Sequence, residues 1–248
     1  MKAVKLFAKQ HKGAATTERE ELLLKRGVGV EGDVYAIAGN PRQILLVDTP
    51  TLAEFDLNPG DLRENLLIDA PIESLASGQV LQVGQSALIR ITFPCDPCSQ
   101  LNQLKPGLAT RIKGKRGLLG MVVRDGLIKA GEQVQISPYQ FSPLPENAKG
   151  RFTEFVTRIQ SGKVVSTAHL LMALGLARSY YRTIPIFLKK AGDRLPIHRI
   201  VAPDGGLITK HMPQQQQALE DEGIGVIEGR VSPDFFWEQA HFHDIGAF

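Results

Sequence analysis

Two cysteines on one short segment are the residues of this sequence that most readily suggest chemistry. The segment Phe93-Pro-Cys-Asp-Pro-Cys-Ser99 places Cys95 and Cys98 three residues apart, on a proline-stiffened turn that follows a predicted strand. Such a pair could be a redox couple, half of a metal site, or a turn that presents one thiol as a nucleophile.

The numbers and spacing of the possible ligands narrow these alternatives. The chain has only two cysteines, so a four-cysteine zinc site is impossible within it, and its six histidines do not lie at zinc-finger spacing. A thioredoxin-like pair belongs at a helix N-terminus in a β-α-β setting, whereas the sequence around this pair predicts strands. What remains is a thiol on an exposed, rigid loop, although two inert cysteines explain the sequence about as well.

Basic residues are concentrated in two regions of the chain. Residues 151–210 hold ten Lys and Arg against three acidic residues, whereas residues 211–248 hold one against seven. Such regions suit anionic ligands, a phosphate-bearing cofactor for the one nearer the cysteines and nucleic acid for residues 151–210, although solvated surfaces have the same composition. Positive neighbours also lower the pKa of a thiol, so Cys98 could carry sulfur or ligate a soft metal. The region nearer the cysteines contains Lys105, Arg111, Lys113, Lys115, Arg116 and Arg124 without an acidic residue among them.

Short β-like runs fill residues 1–136 and predict how the cysteine segment is held. The runs are closely spaced and bounded by Gly and Pro, which favours a mainly β barrel or sandwich over alternating β-α units. One helix is predicted near Thr51–Phe55, and Gly84-Gln-Ser86 is predicted as the turn of a hairpin. The predicted strands are residues 44–48, 80–83, 87–93, 121–124 and 133–136.

The second part of the chain has a different pattern. Residues 137–150 carry three prolines and no clear periodicity, which predicts a semi-rigid linker. Apolar residues at helical spacing then predict a small, mainly helical domain over residues 151–248. Its first helix contains Phe152, Phe155, Val156 and Ile159 and should stop at Gly162, its second runs to Gly175, and two more lie within 177–190 and 214–222.

Several motifs of the β-rich part occur in a recognisable order over roughly 110 residues. Together they are similar to the MOSC domain, a β-rich module also found at the C-terminus of molybdenum cofactor sulfurases. The motifs are Gly29-Val-Glu-Gly-Asp33, Arg42-Gln43 before an apolar strand, Pro59-Gly-Asp-Leu-Arg-Glu-Asn-Leu66, Gly84 before Ala87-Leu88, Pro97-Cys98, and Gly120 with residues 126–134.

This resemblance implies a partly open β-barrel in which Cys98 takes the place of the family's signature cysteine and carries sulfur or meets molybdenum. It places Arg63 and Asn65, and with less support Arg42, on the molybdenum cofactor (molybdopterin), whose phosphate and amide-like edges suit Arg and Asn. A surface charge is the alternative for Arg63. Cys95 occurs in part of the family and could resolve a persulfide on Cys98 as a disulfide.

The sequence also departs from the family pattern. Relatives often have His two residues after the Gly-Asp pair, where this chain has Tyr35, so any role of that His is in doubt here. We expect Gly32 and Asp33 to form a turn. Larger relatives connect the family with pyridoxal phosphate, but no lysine of this sequence has a convincing Schiff-base setting.

Residues 151–248 resemble the DNA-binding domain of alkylguanine DNA alkyltransferases and alkyltransferase-like proteins. The resemblance implies a winged helix-turn-helix. Active members have cysteine where this chain has Ile197, and an alkyl side chain cannot accept a methyl group, which excludes self-alkylating repair at this position. With no thiol to serve, His198 and Glu222 are expected to hold the fold together. The matching motifs are Gly162-Lys-Val-Val-Ser166, Ala173-Leu-Gly175, Leu195-Pro-Ile-His-Arg-Ile-Val201, Asp204-Gly-Gly206 and Glu222-Gly-Ile224.

DNA binding is the alternative function that this second resemblance implies. Arg182 lies near the position of the arginine that fills the space of an extruded base. Lys189, Lys190 and Arg194 supply charge for phosphates. Two features weaken the case: Thr167 replaces a DNA-contacting Tyr, and Pro185 should kink or restart the recognition helix.

The remaining expectations concern location and partners. No run approaches the ~20 apolar residues of a membrane span, and the first residues do not resemble a signal peptide. The cytoplasm is therefore the expected compartment. The expected partners are the molybdenum cofactor or a sulfur donor or acceptor protein, and in the alternative DNA. Whether the chain is an enzyme stays open.

Overall fold

The computed structural model describes residues 1–247, without the side chain of residue 193. The chain divides into two compact units. The first, called the β unit here, comprises Met1–Leu144 and the terminal segment that begins at Asp244. The second, called the helical unit, comprises Pro145–His243.

The β unit contains eleven strands and two short helices within the described residues. Two 3-10 turns, Ile72–Ser74 and Ser99–Gln103, accompany them. The strands are β1 (Ala3–Ala8), β2 (Thr17–Arg19), β3 (Glu21–Lys25), β4 (Gly29–Val30), β5 (Ile44–Asp48), β6 (Leu66–Ile68), β7 (Gln79–Val83), β8 (Ala87–Pro94), β9 (Leu118–Arg124), β10 (Gly126–Lys129) and β11 (Val134–Gln140), and the helices are α1 (Thr49–Glu54) and α2 (Leu108–Arg111).

Eight strands form one curled sheet in the order β11-β7-β8-β9-β5-β6-β1-β2. Neighbours are antiparallel except β5 and β6, which run parallel. The sheet curls far enough that the start of β1 meets the start of β11. Lys2 bridges Gln133, and the Val134 amide donates to the Met1 carbonyl over 2.8 Å. Strands β10, β3 and β4 form a second, smaller sheet. The mainly β half-barrel confirms the coarse prediction for this part.

Both faces of the large sheet are covered, and β5 shows the reason in its sequence. Ile44 and Leu46 belong to one apolar cluster, whereas Leu45 and Val47 belong to another, which also contains residues of α1 and α2. Because successive side chains of a strand point to opposite faces, a continuous apolar run suits a strand that is buried on both. The other predicted strands and the helix near residue 51 were also found.

Two predictions about this unit were wrong. No strand was predicted between residues 124 and 133, but Gly126–Lys129 forms β10. Its pairing partner is β3, which is distant in sequence, so no local pattern could show it. The neighbourhood of the cysteines is not all-β either, because the 3-10 turn Ser99–Gln103 and α2 follow directly.

The helical unit contains four α-helices and four short strands among its described residues. Strands β12 and β13 pair in parallel, and β14 and β15 form a hairpin. Phe152, Phe155 and Phe242 are fully buried in its main apolar cluster. The elements are α3 (Ala148–Arg158), β12 (Val165–Ser166), α4 (Thr167–Ala173), α5 (Ile184–Ala191), β13 (Ile200–Val201), α6 (Gln215–Glu220), β14 (Val226–Ile227) and β15 (Arg230–Val231).

The boundaries of β11 and α3 differ from those predicted from the sequence. The predicted linker 137–150 is partly regular, since β11 continues to Gln140 and α3 begins at Ala148 with Asn147 as its N-cap. The first helix ends at Arg158, before Gly162. Pro185 lies in the first turn of α5, where its missing amide costs nothing, so the helix starts there as expected. The winged helix-turn-helix stays a prediction. Within residues 1–247 no helix is both long and apolar enough to cross a bilayer.

Candidate functional site

The cysteine segment leaves β8 at Pro94 and enters the 3-10 turn Ser99–Gln103. The Cys95 amide donates to the Gly117 carbonyl over 2.9 Å, which ties the segment to the start of β9. Cys95 is 3% exposed, whereas Cys98 is half-buried, and both thiols are free. The two cysteines therefore differ in access: only Cys98 can meet a partner without movement of the segment.

Cys98 lines a small cavity of about 90 Å³. Two guanidinium groups, those of Arg63 and Arg116, line it with one carboxylate, that of Asp61. The other lining residues are Gln100, Leu101, Gln103 and Leu104. The thiol of Cys98 therefore shares a cavity with two cationic side chains and one acidic side chain.

The loop before β6 places Arg63. Its backbone has a positive φ of 63°, which a non-glycine residue adopts rarely, and its guanidinium donates to Gln100 Oε1 over 2.8 Å. The buried Glu64 carboxylate stabilises the loop, because its Oε1 accepts from the Gly60 amide at 2.6 Å. Its Oε2 has no hydrogen-bond partner among the described residues. Burial raises the pKa of Glu64, because the charged carboxylate would be poorly solvated there.

Arg116 and Arg42 approach the buried cysteine. Arg116 donates from a terminal nitrogen to the Asp96 carbonyl over 2.7 Å, and Arg42 lies 3.9 Å from Cys95 Sγ. Burial raises the pKa of the Cys95 thiol, and the positive charges of Arg116 and Arg42 offset only part of this effect. Cys95 is thus held as a neutral thiol. Arg42 contacts Cys95 and is not among the residues that line the Cys98 cavity.

Asn65 is not brought to this cavity. It is 6% exposed, accepts from the Leu45 amide at 3.0 Å, and donates to the Phe7 carbonyl and to Asp33 Oδ2. Asp33 also accepts from the backbone amides of Lys9 and Tyr35, so it forms the expected turn. Through these hydrogen bonds, the Asn65 side chain connects β5, β1 and the turn at Asp33.

Lys9 is a candidate site residue that sequence reasoning missed. It is 3% exposed, and its ammonium group has no hydrogen bond or ion pair within residues 1–247. Burial lowers the pKa of Lys9, as does the positive charge of Arg63, while Asp33 raises it. A lysine without a hydrogen bond in this part of the chain and an arginine near it could together bind an anionic ligand. A lysine at the end of a strand carries no such signal in the sequence.

The predicted metal role of Cys98 has no support from a cluster of ligands. In the described part of the chain, no three or more His, Cys, Asp or Glu side chains are grouped as a metal site would require. A metal at Cys98 would therefore have to arrive with its other ligands.

The predicted DNA contacts lie in the helical unit. Arg182 ends a 3-10 turn and is exposed, and Lys189 and Lys190 are exposed in the last turn of α5. A cavity of about 830 Å³ is lined by Lys189, Arg194 and Ile197. Arg182 and Lys190 do not line it, and Lys190 instead borders a smaller cavity of about 270 Å³.

The groups that would have activated a thiol at position 197 are paired with each other. His198 Nε2 lies 2.8 Å from Glu222 Oε1, and the Arg199 guanidinium donates to both carboxylate oxygens. Although burial raises it, hydrogen bonds from Arg199, His198 and the Gly162 amide lower the pKa of Glu222 to about 2. This network joins residues from three regions of the unit, which agrees with a structural role.

Among solved structures, the chain is similar to the YuaD protein of Bacillus subtilis at 20% identity, covering 57% of this chain and 96% of that one with a TM-score of 0.48. It is similar to YiiM of Escherichia coli at 22% identity, covering 74% and 90% with a TM-score of 0.43. Atl1 of S. pombe, solved in complex with damaged DNA containing O6-carboxymethylguanine, matches at 22% identity over 37% of this chain and 94% of that one, with a TM-score of 0.33.

At these identities and TM-scores, the structural matches carry no argument about function. No curated protein sequence matches the chain. The family comparison is more specific, because its matched segment contains Arg42, Arg63, Cys95, Cys98 and Arg116. Residues 38–135 match the family model of the MOSC domain.

Proposed function

We propose that the β unit uses Cys98 as a sulfur-accepting thiol at the MOSC domain's site. The observation that carries this proposal is the position of Cys98, half-buried in a cavity whose walls include Arg63 and Arg116. Two guanidinium groups beside a thiol can bind the charge of an incoming sulfur donor. Free, unbridged cysteines fit a reducing compartment, so we place the reaction in the cytoplasm.

The sulfur-transfer step is an exchange at sulfur. The Cys98 thiolate attacks the outer sulfur of a donor persulfide, a new S–S bond forms on Cys98, and the donor leaves as a thiolate. An acceptor thiolate can then remove the outer sulfur in the same way. Alternatively, Cys95 attacks the inner sulfur of the Cys98 persulfide, which forms a Cys95–Cys98 disulfide and releases hydrosulfide. This last step requires Cys95 to leave its buried position, since it is 3% exposed.

The same residues suit the molybdenum cofactor with which MOSC domains are associated. Cys98 would meet the metal through its soft sulfur, and the half-exposed Arg63 would bind the phosphate. A bound cofactor would supply oxygen-atom and electron transfer. The cavity of about 90 Å³ is far below the ~300 Å³ at which pockets begin to enclose whole ligands, so only the metal-bearing end could enter it. Asn65 is already satisfied inside the fold and would not contribute.

Intact-mass and metal analysis of the freshly purified full chain tests this function. We expect the wild type to gain the mass of one sulfur atom after incubation with a persulfide donor, or to carry molybdenum when made in a molybdenum-replete host. Cys98→Ser should abolish both. Cys95→Ser is the matched control, because it removes the neighbouring thiol but should leave sulfur loading on Cys98. A wild-type protein that takes up neither sulfur nor molybdenum would contradict the proposal.

A second candidate function, recognition of alkylated DNA without repair, is favoured by the 830 Å³ cavity of the helical unit. Its size is sufficient for an extruded base, and Lys189 and Arg194 on its wall could contact flanking phosphates. A gel-shift comparison of an O6-alkylguanine duplex with the unmodified duplex tests this idea. We expect preference for the alkylated duplex and its loss in a Lys189→Ala/Arg194→Ala variant. Lys163→Ala is the control, since Lys163 lies outside the cavity. Equal, weak binding of both duplexes that disappears with salt would overturn the idea.

A further inference from the structure

The Cys98 cavity contains more positive charge than a neutral sulfur donor requires. Building on the proposed sulfur-accepting role of Cys98, we propose that its donor is a small oxyanion that bears a sulfane sulfur, the class represented by thiosulfate. The oxyanion end would be bound by Arg116 and Arg63, and the sulfane sulfur would meet Cys98.

Arg116 is the residue that points to an anionic ligand. It is 7% exposed and lines the cavity, yet its Nε has no hydrogen-bond partner among the residues that the structure describes. One terminal nitrogen is already used by the Asp96 carbonyl, which fixes the guanidinium in place. The other terminal nitrogen makes no hydrogen bond within the described residues, so it can donate a charge-assisted hydrogen bond to an oxyanion in the cavity.

The balance of charge around the cavity also favours an anion. Arg63 and Arg116 oppose a single lining carboxylate, Asp61, which accepts from the Asn58 amide at 2.7 Å. Arg63 is steadied by Gln100, and the unpaired ammonium of Lys9 adds positive charge close to Arg63. A sulfur donor without an anionic end would form no ionic hydrogen bond with the Arg63 and Arg116 guanidinium groups.

The size of the cavity limits the donor to a few atoms. At about 90 Å³ it has the volume of roughly three water molecules, each of which occupies ~30 Å³ in the liquid. A five-atom tetrahedral oxyanion fits this volume, whereas a protein-borne persulfide must be reached through the opening.

The reaction balances without a further reagent. The Cys98 thiolate attacks the sulfane sulfur of thiosulfate, a new S–S bond forms, and the bond between the sulfane sulfur and the sulfonate sulfur breaks. Its electron pair leaves with sulfite. Thiolate plus thiosulfate thus becomes the Cys98 persulfide anion plus sulfite, and the two guanidinium groups face the charge that develops on the departing oxyanion.

The test compares two sulfur donors on the full chain: thiosulfate, which has an oxyanion end, and inorganic polysulfide, which does not. Loading of Cys98 is followed by intact mass, and sulfite release is followed with a colorimetric thiol reagent. We expect the wild type to load from thiosulfate with one sulfite per persulfide. Arg116→Gln and Arg63→Gln should lower the ratio of thiosulfate to polysulfide loading rates by about tenfold or more, since each removes a charged hydrogen-bond donor.

Two further variants keep the test decisive. Arg116→Lys retains the charge and should recover part of the thiosulfate rate, even if Arg116→Gln disturbs the loop. Lys115→Gln removes the neighbouring cation, which pairs with Glu54 outside the cavity, and should leave the donor ratio unchanged. Loading from polysulfide but not from thiosulfate would overturn this inference and leave the proposed function standing. Loading from neither donor would overturn both.

Discussion

The Glu222 network of the helical unit and the Cys98 cavity of the β unit use their charged groups in opposite ways. In the helical unit, the carboxylate of Glu222 is paired with Arg199, His198 and the Gly162 amide, so the polar groups around Ile197 satisfy one another. Beside the Cys98 cavity, Arg116 donates to the Asp96 carbonyl and makes no other hydrogen bond among the described residues. A group that is satisfied internally holds a fold together, whereas one left unsatisfied stores a cost that a ligand can remove. The comparison supports the proposed ligand-binding role of the Cys98 cavity and a structural role for the Glu222 network.

The largest expected effect comes from breaking the Glu222 network. Glu222→Ala leaves Arg199 partly buried without its carboxylate, and we expect the helical unit to lose roughly 2–4 kcal/mol of stability. Thermal unfolding can be followed by the fluorescence of Trp237, the only tryptophan of the chain, which lies in the core of this unit. Glu220→Ala, on the neighbouring exposed position, is the control. Equal melting temperatures for the two variants would contradict the structural role of Glu222.

Asn65 and Arg63 provide the next test, within the β unit itself. Asn65→Leu removes hydrogen bonds to Leu45, Phe7 and Asp33 and should destabilise the β unit by about 2–3 kcal/mol. Arg63→Gln should change stability by less than ~1 kcal/mol, because its side chain bonds only at the surface of the cavity. Hydrogen exchange of the β8 and β9 amides measures both changes. A larger loss for Arg63→Gln would reverse the assignment of structural and ligand-binding roles.

A fall in pH should change the stability of the two units in opposite directions. The lowered pKa of Glu222, about 2, means that the carboxylate contributes stability that is complete above its ordinary value of 4.5 and is lost as the pH falls towards 2. His169, whose pKa is lowered by burial, makes the helical unit less stable as the pH falls below the ordinary value of 6.5. The raised pKa of Glu64 acts in the other direction: its contribution to the β unit is complete below 4.5 and is lost as the pH rises through its folded pKa.

These signs can be measured separately. Trp237 fluorescence follows the helical unit during titration from pH 7 to 2, and hydrogen exchange follows the β unit. Glu222→Gln should reduce the loss of stability that the helical unit shows as the pH falls below 4.5. Glu64→Gln should remove the pH dependence of stability assigned to Glu64. Parallel acid transitions in both units would show that the difference in their buried carboxylates does not control their stability.

The smallest expected effect on the helical unit comes from Ile197. Ile197→Cys replaces a residue that is 9% exposed on a cavity wall, and we expect a change of stability of about 1 kcal/mol. A cysteine there would lie next to His198, so its reaction rate with a disulfide reagent reports whether the His198–Glu222 pair can still activate a thiol. If the pair is purely structural, the rate should match that of an ordinary exposed cysteine. A markedly faster rate would show that the His198–Glu222 pair can still activate a thiol, and would contradict its purely structural role.

Prediction from the sequence succeeded where the pattern was local. The apolar run of β5, the β7–β8 hairpin, the start of α5 near Pro185 and the spacing of the α3 phenylalanines each encode one element, because strand and helix periods appear directly in the order of residues. It failed for β10, which exists only through its pairing with β3. The order of motifs also identified the MOSC segment, which the family comparison confirms over residues 38–135.

By itself, the sequence determined that Cys98 follows a strand on a proline-stiffened turn, that Ile197 cannot act as a nucleophile, and that basic residues follow the cysteine pair. Only the tertiary structure decided which of these basic residues reaches the thiol. Arg116 lines the Cys98 cavity, Lys115 pairs with Glu54, and Asn65 turns inward. The physical reason is that strand pairing over long sequence separations, not local spacing, places Arg63 and Arg116 beside the cysteine segment and decides which polar atoms find partners.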